Sequence, residues 1–227
     1  MQQSYRSLRL IAEAQTIRVV LAQEPDELML KELCVLCDSL HTESSSGIKA
    51  VALDFNPTAA QLVIHNSQAS AADTATMVSI ACEATYAINQ PVLAVVRDTL
   101  SQSASLLMKT ADLTLVAENA GLKLSDEEED ILTGSQALRL GLITWTASVH
   151  DINKQMERVL DLLRTNSAIA LRQAKASVRL AHANHATKLE ALEQVNRLYL
   201  EQLMQTHDAQ EGLQAFLEKR KPIWKNI

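Results

Sequence analysis

The sequence predicts an α/β protein whose mixed core is followed by a region made only of helices. Short β-like runs alternate with helical periodicity as far as Val149, a pattern typical of layered α/β or α+β architectures. After Val149 the β-like runs stop and apolar residues recur at helical spacing. We therefore expect a core over residues 1–149 and a helical region over residues 150–227.

Strands and helices alternate along the predicted core. The expected strands are Leu8–Ile11, Ile17–Leu21, Lys49–Phe55, Gln61–His65, Pro91–Val96, Leu113–Ala117 and Leu142–Trp145. Two helices are expected between them, at Asp26–Leu40 and Ser70–Asn89, because apolar side chains recur there every three or four residues.

The second region is predicted to form an amphipathic helix at Asp151–Thr165 and a long helix at about Ala186–Thr206. The long helix carries one apolar stripe, formed by Leu189, Leu192, Val195, Tyr199 and Leu203. Such a stripe needs an apolar surface to cover it, so we expect residues 150–227 to mediate subunit association.

Composition narrows the class of protein. Hydrophobic residues make up 47% and charged residues 21% of the chain, as in ordinary soluble globular proteins. A net charge of −6 argues against a nucleic-acid partner, because phosphate binding requires clustered Lys and Arg. No apolar run is long enough to cross a membrane, and Met1–Arg9 is too polar for a signal peptide. With only 3 cysteines, a cytoplasmic location is expected.

Cysteine, histidine and glycine patterns give no strong functional signal. Cys34 and Cys37 form a C-x-x-C spacing inside a predicted helix, so we interpret them as buried apolar side chains and not as a redox pair. His182 and His185 lack a third ligand, and no metal site is expected. The 5 glycines stand alone, which excludes the usual phosphate-binding loops.

A run of acidic residues follows Ser125, and two interpretations of it stay open. Ser125 and Glu128 are spaced as a helix capping box, which is the structural interpretation. The alternative is that a carboxylate of this run, from Asp126 or Glu127, moves protons in a catalytic site.

Three segments carry a family resemblance. Residues Asp208–Pro222 match the motif D-A-x-E-G-x-x-A-F-x-E-K-R-x-P. Leu132-Thr-Gly precedes Ala137-x-x-x-Gly141-Leu142, and Pro91–Val96 precedes Ala111-Asp112-Leu113. Together these segments resemble the crotonase (enoyl-CoA hydratase/isomerase) superfamily. The stretch Leu189–Trp224 is most similar to hydratases of cyclic dienoyl-CoA thioesters.

The resemblance implies a spiral of β-β-α turns, a C-terminal helical trimerisation region and an acyl-CoA ligand. Family members polarise the thioester carbonyl with two backbone N–H groups, and carboxylates nearby move protons. Asp126 aligns with the second catalytic glutamate. Phe216 and Lys219 align with residues that contact the CoA of a neighbouring subunit, although Phe216 could instead pack the last helix and Lys219 could be solvated.

The catalytic part of the pattern is altered. Asp98–Ala104 replaces a glycine-rich oxyanion segment, and Leu106 stands where the first catalytic glutamate is expected. Ala60–His65 keeps neither the Gly nor the Asp of the other oxyanion loop, and the pocket segment after Asp126 is shortened to Glu127–Ile131. The basic residue expected after Pro25 is replaced by acidic ones.

Three hypotheses follow. The first is a non-catalytic subunit that forms a homo- or hetero-oligomer, trimer or hexamer, with an active family member. The second is an active enoyl-CoA hydratase or lyase that uses Asp126 or Glu127, and the third is a plain CoA-ester-binding protein. A CoA thioester is the expected ligand in each case, and no other cofactor is expected. No hypothesis requires a nucleic acid or a membrane as a partner.

Overall fold

The structure is a computed structural model, and it describes residues 5–41, 47–62, 71–123, 131–182 and 188–226. The strands are β1 Arg9–Glu13, β2 Thr16–Leu21, β3 Ala50–Phe55, β4 Val92–Val96, β5 Leu113–Ala117, β6 Gly121–Leu122, β7 Leu132–Thr133 and β8 Trp145–Ala147. The helices are α1 Glu27–Leu40, α2 Ala71–Ala87, α3 Gln102–Lys109, α4 Gly134–Arg139, α5 Ile152–Arg164, α6 Ala168–His182, α7 Lys188–Arg197 and α8 His207–Leu217.

Six strands form one sheet in the order β1-β2-β3-β4-β5-β8. The first pair is an antiparallel hairpin, and all later pairs are parallel. The hairpin turn consists of Ala14 and Gln15, both with positive φ (41° and 69°), as in the type I′ turns that match the twist of a hairpin. The short strands β6 and β7 form a separate antiparallel ladder.

The central strands are buried on both faces. Every residue of β3 and β4 is buried, as expected for parallel strands covered by helices on both sides. Helices α1 and α2 pack against each other, α2 also contacts α3, and α5 packs against β3, β5 and β8. The sheet therefore forms the centre of the core, and the predicted α/β fold class is confirmed.

Most predicted core elements lie where the sequence places them, but two strand predictions are wrong. Pro57–Leu62 is a 3₁₀-helix, so no strand begins at Gln61, and the rest of the predicted Gln61–His65 lies outside the described residues. The Asn56 side chain accepts hydrogen bonds from the N–H and hydroxyl of Thr58 and starts this turn.

The last predicted strand of the core is shifted. Trp145–Ala147 is the strand, not Leu142–Trp145, because Leu142 still belongs to the cap of α4. Gly141 adopts φ +71°, its N–H bonds the Leu138 carbonyl, and the Leu142 N–H bonds the Ala137 carbonyl. This Schellman cap explains the A-x-x-x-G-L motif.

The helical region differs in detail from the prediction. The predicted helix at Asp151–Thr165 is present as α5, with Asp151 and Thr165 as its caps. The predicted long helix is interrupted: α7 ends at Arg197, a π-helix follows at Leu198–Gln202 and a 3₁₀-helix at Leu203–Gln205. Helix α6 has no counterpart in the prediction. Among the described residues, no helix is long and apolar enough to cross a membrane.

Cationic side chains attach the helical region to the core. The ammonium of Lys175 contacts the Asp112 carboxylate at 2.7 Å and the Gln90 carbonyl at 2.9 Å. The Arg179 guanidinium donates to the Ile88 carbonyl and lies 4.7 Å from the centre of the Tyr86 ring. From the sheet side, the Lys49 ammonium donates to the Arg164 carbonyl at the end of α5, where the negative end of the helix dipole favours a cation.

Candidate functional site

The segment aligned with the glycine-rich oxyanion loop forms the start of α3. Ser101 is the N-cap, and its hydroxyl accepts a hydrogen bond from the Ala104 N–H at 3.3 Å. Within the described part of the chain, the Ser103 N–H donates no hydrogen bond. Ser103 lies in the first turn of α3, so its N–H is a backbone donor at the positive end of a helix.

Leu106 stands where the resemblance predicts the first catalytic glutamate. It lies three residues after Ser103 and so on a neighbouring part of the same helix face. Its side chain is 40% exposed and cannot exchange a proton. This site thus combines an available backbone N–H with an apolar side chain where an acid or base is expected.

The two flanks of the acidic run lie beside this segment. The Leu100 N–H donates to the Gly121 carbonyl, and the Gly121 N–H donates to the Thr99 hydroxyl. A Cβ atom on Gly121 would come within 2.7 Å of the Ile131 side chain. Asp126 and Glu127 themselves lie outside the described residues, so their proposed roles stay predictions.

The L-T-G motif positions α4 against the end of β5. Thr133 is the N-cap of α4 and forms a reciprocal capping box with Gln136. A side chain at Gly134 would meet the Ala117 carbonyl at 2.3 Å, so only glycine permits this approach. This motif is therefore structural, and it fixes the chain after the acidic run.

The C-terminal motif folds the last residues back onto the helices. Asp208 is 2% exposed, and its carboxylate accepts hydrogen bonds from the N–H groups of Lys225 and Asn226 and from the Ser167 hydroxyl. The Trp224 indole donates to the Thr165 carbonyl at 2.7 Å. We call residues 221–226 the C-terminal strap, because its backbone is held across α6 and α8.

An ion pair also holds the C-terminal strap in place. Both terminal nitrogens of Arg220 bond the two carboxylate oxygens of Glu211, at 2.5 Å and 2.9 Å, and the Ile223 N–H also bonds Glu211. Hydrogen bonds from Arg220 and then from Ile223 lower the pKa of Glu211 to about 2. Asp208, Glu211 and Arg220 of the motif therefore stabilise the fold of the C-terminal strap.

The side chains of Phe216 and Lys219 take no part in these contacts. The Phe216 ring is 82% exposed, so it does not pack the last helix within the chain. Lys219 is exposed and follows α8 with φ +54°. No ion pair of Lys219 occurs among the residues that the structure describes. Both side chains are available to a ligand or a partner.

A buried cluster of charged side chains was not predicted from the sequence. The Asp54 carboxylate, fully buried on β3, accepts hydrogen bonds from Arg18 on β2 and from Arg97 after β4. The signal is an aspartate inside the apolar run of β3, which requires a buried partner. Only the strand register reveals that the partners are these two arginines.

The C-terminal part of the chain is similar to known proteins. Residues 129–226 match the sequence model of the family Enoyl-CoA hydratase/isomerase. The cyclohexa-1,5-dienecarbonyl-CoA hydratase of Thauera aromatica is 40% identical over 97 residues, which cover 42% of this chain and 36% of that protein. A putative enoyl-CoA hydratase/isomerase of Bacillus subtilis (strain 168) is 33% identical over 96 residues, with the same two shares of 42% and 36%.

The fold agrees over nearly the whole chain. The crystal structure of a putative enoyl-CoA hydratase from Streptomyces coelicolor A3(2) superposes with a TM-score of 0.82 at 18% identity, covering 100% of this chain and 97% of that one. At this identity the likeness concerns the fold. The family model over residues 129–226 and the shared fold both agree with the resemblance to the enoyl-CoA hydratase/isomerase (crotonase) superfamily.

Proposed function

We propose that this protein is a non-catalytic, acyl-CoA-binding subunit that assembles with an active member of its family. The observation that carries the proposal is Leu106, an apolar side chain at the aligned position of a catalytic glutamate, on the same helix as the altered oxyanion segment. Loss of an acid–base group lowers a rate by about 10²–10⁴, which would leave little activity.

Exposed apolar side chains support the assembly role. Those of the C-terminal helices are Leu192, Tyr199, Leu200, Leu213, Phe216 and Leu217, and Ile223 on the strap adds to them. An isolated chain with so many exposed apolar groups would tend to aggregate, whereas a second subunit would cover them. We propose a trimer or a hexamer, formed with copies of the chain or with an active subunit, in the cytoplasm.

CoA binding rests on Phe216 and Lys219. An exposed aromatic ring can stack on an adenine, and an ammonium pairs with phosphate. In the proposed assembly these groups contact the CoA of a neighbouring subunit. The acidic residues Asp26 and Glu27 after Pro25 weaken phosphate binding at the other end of the chain.

A specific observation favours the alternative, an active enoyl-CoA or cyclic dienoyl-CoA hydratase. The Ser103 N–H is unbonded within the described chain and could still polarise a thioester carbonyl. The named activity of the 40% identical relative is of this kind. Asp126 or Glu127 would then supply the carboxylate.

Turnover tests the two functions. The purified chain is assayed with crotonyl-CoA and with a cyclic dienoyl-CoA, and we expect no hydration. A turnover of about one per second that Asp126→Asn or Glu127→Gln abolishes would establish the active alternative. Leu106→Glu is the informative gain-of-function variant, because a rate that appears only in this variant shows an intact oxyanion site without an acid or base.

Sedimentation tests assembly. The chain is run alone and after mixing with an active family member from the same source. We expect a trimer or larger species. A well-behaved monomer under every condition, with no association to the active enzyme, contradicts the subunit role.

A further inference from the structure

Two half-buried cysteines lie on neighbouring helices outside the acyl-CoA site. Helix α1 connects β2 to β3, and α2 lies between β3 and β4. Because these three strands are parallel, both helices return in the same direction. The two helices pack against each other, and the Cys37 sulfur lies 4.0 Å from the Thr85 hydroxyl oxygen across their interface.

The spacing places Cys34 and Cys82 in the next contact layer of this helix pair. Each precedes a member of the Cys37–Thr85 contact by three residues. In a pair of parallel helices, such a step leads from one contacting layer to the next. Both thiols are half-buried, and so they remain within reach of a small reagent.

Electrostatics agree with this arrangement. Burial, and then the charge of Cys34, raise the pKa of Cys82 to about 11. Cys34 therefore lies close enough to Cys82 for its charge to be felt. Burial raises the pKa of Cys37 further, to about 12, and its side chain is fully buried against Thr85. Cys37 is therefore the least reactive of the three thiols.

We propose that Cys34 and Cys82 form a reversible disulfide bond that joins α1 to α2 when the protein meets a disulfide oxidant such as glutathione disulfide. One cysteine, as thiolate, attacks the oxidant, which releases one glutathione and leaves a mixed disulfide. The second cysteine attacks the protein sulfur of that mixed disulfide and releases the other glutathione. The protein loses two protons and two electrons, and the oxidant gains them.

The raised pKa values of the thiols determine how fast the disulfide bond forms. Only a small fraction of either thiol is ionised near neutral pH, so the bond forms slowly there and faster as the pH rises. In a reducing compartment such a disulfide is transient and responds to oxidation. When formed, the disulfide restrains α2 relative to α1. It also lowers the conformational entropy of the unfolded chain, which favours the folded state.

The experiment uses the full chain and glutathione disulfide at pH 8.5. After oxidation the free thiols are alkylated, and the protein is digested without reductant for mass spectrometry. We expect one Cys34–Cys82 linked peptide pair, an alkylated Cys37, and an upward shift of the thermal unfolding midpoint that reductant reverses. The rate of bond formation should rise about tenfold per pH unit between pH 7 and 9.

Single serine variants supply the controls. Cys37→Ser should form the same bond at the wild-type rate, whereas Cys34→Ser and Cys82→Ser should form no intramolecular bond. A Cys34–Cys37 link, or glutathione adducts on Cys34 and Cys82 without a bond between them, overturns the proposal. Each serine variant is first checked for a wild-type far-ultraviolet spectrum, so that a change in fold cannot account for the loss.

Discussion

Lys219 has the left-handed backbone conformation at the end of α8 that Gly141 has at the end of α4. The φ angles are +54° and +71°. In both caps the residue after it bonds a carbonyl five residues back, Ala215 for Arg220 and Ala137 for Leu142. The two caps therefore share one Schellman geometry, and at α8 a lysine occupies the position that glycine favours.

Replacing Lys219 by glycine should stabilise the protein by about 1 kcal/mol, because the left-handed conformation strains a residue with a Cβ atom. Chemical denaturation measures the change. Lys221→Gly is the matched control, because Lys221 does not have a positive φ, and it should leave stability unchanged or lower it. Equal effects of the two substitutions would show that the left-handed conformation of Lys219 does not lower the stability of the protein.

Lys219→Glu should weaken the binding of free CoA at least about tenfold, because a carboxylate would repel the phosphates that an ammonium attracts. Calorimetry measures the affinity. Lys221→Glu makes the same change of net charge two residues away and should have a smaller effect. Equal affinity in the wild type and in Lys219→Glu, or no CoA binding by either, leaves Phe216 and Lys219 without a role in CoA binding.

Acid should release the C-terminal strap as the pH falls toward about 2. The pKa of Glu211 is lowered to about 2 by its bonds to Arg220 and Ile223. A carboxylate with a lowered pKa stabilises the folded state above its ordinary value near 4.5 and loses that contribution as the pH falls toward about 2. Trp224 fluorescence, in a Trp145→Phe background, should report this transition.

The strap transition has its own control. In Arg220→Leu the pKa of Glu211 is no longer lowered by the guanidinium, so Trp224 should change its emission at a higher pH or be released at all pH values. An identical acid transition in both proteins would mean that the ion pair does not hold the strap.

Asp54→Ala should lower the free energy of unfolding by about 3–5 kcal/mol, because it leaves Arg18 and Arg97 without their shared buried carboxylate. Denaturant titration measures the loss. The matched control is Asp98→Ala, at an exposed position next to Arg97, which should change stability by less than about 1 kcal/mol. Similar effects at both positions would contradict the importance of the buried cluster.

A fragment that ends at Val149 should be insoluble or unfolded. Four buried side chains of α5, Ile152, Met156, Val159 and Leu160, belong to the same core as the sheet. Their removal exposes apolar surface on β3, β5 and β8, and also removes Lys175 from Asp112. Solubility and circular dichroism decide the outcome, and a folded 1–149 fragment would show that the helical region is dispensable.

The central strands can be predicted because each is a short, nearly continuous apolar run. β4 and β5 begin within one residue of their predicted starts and end where predicted, since parallel strands buried on both faces have little polar interruption. Helix α1 is predictable from its apolar periodicity, and Asp26 caps it as its sequence position suggests.

Other elements depend on contacts that the sequence pattern does not reveal. Ala14 and Gln15 are not typical residues of a type I′ turn, so the hairpin gives no turn signal. The stripe of the predicted long helix continues through Tyr199 and Leu203, yet the backbone there is π-helical and then 3₁₀. Hydrophobic spacing cannot distinguish these variants from an α-helix.

The candidate site is predictable only in part. Sequence motifs locate Phe216, Lys219 and Leu106, but the available donor at Ser103 is a backbone N–H, which no side-chain pattern can indicate. The pairing of Cys34 with Cys82 depends on two helices running in the same direction, which follows from the sheet topology.

The C-terminal strap supplies the backbone donors that the buried Asp208 carboxylate requires. A protease or a premature stop that removed Lys225 and Asn226 would leave the buried Asp208 carboxylate without its backbone donors, and would take the Asn226 side chain from the Ala168 N–H at the start of α6. Short losses from this end should therefore expose the α6–α8 junction to further digestion. Affinity tags for purification are better placed at the opposite terminus.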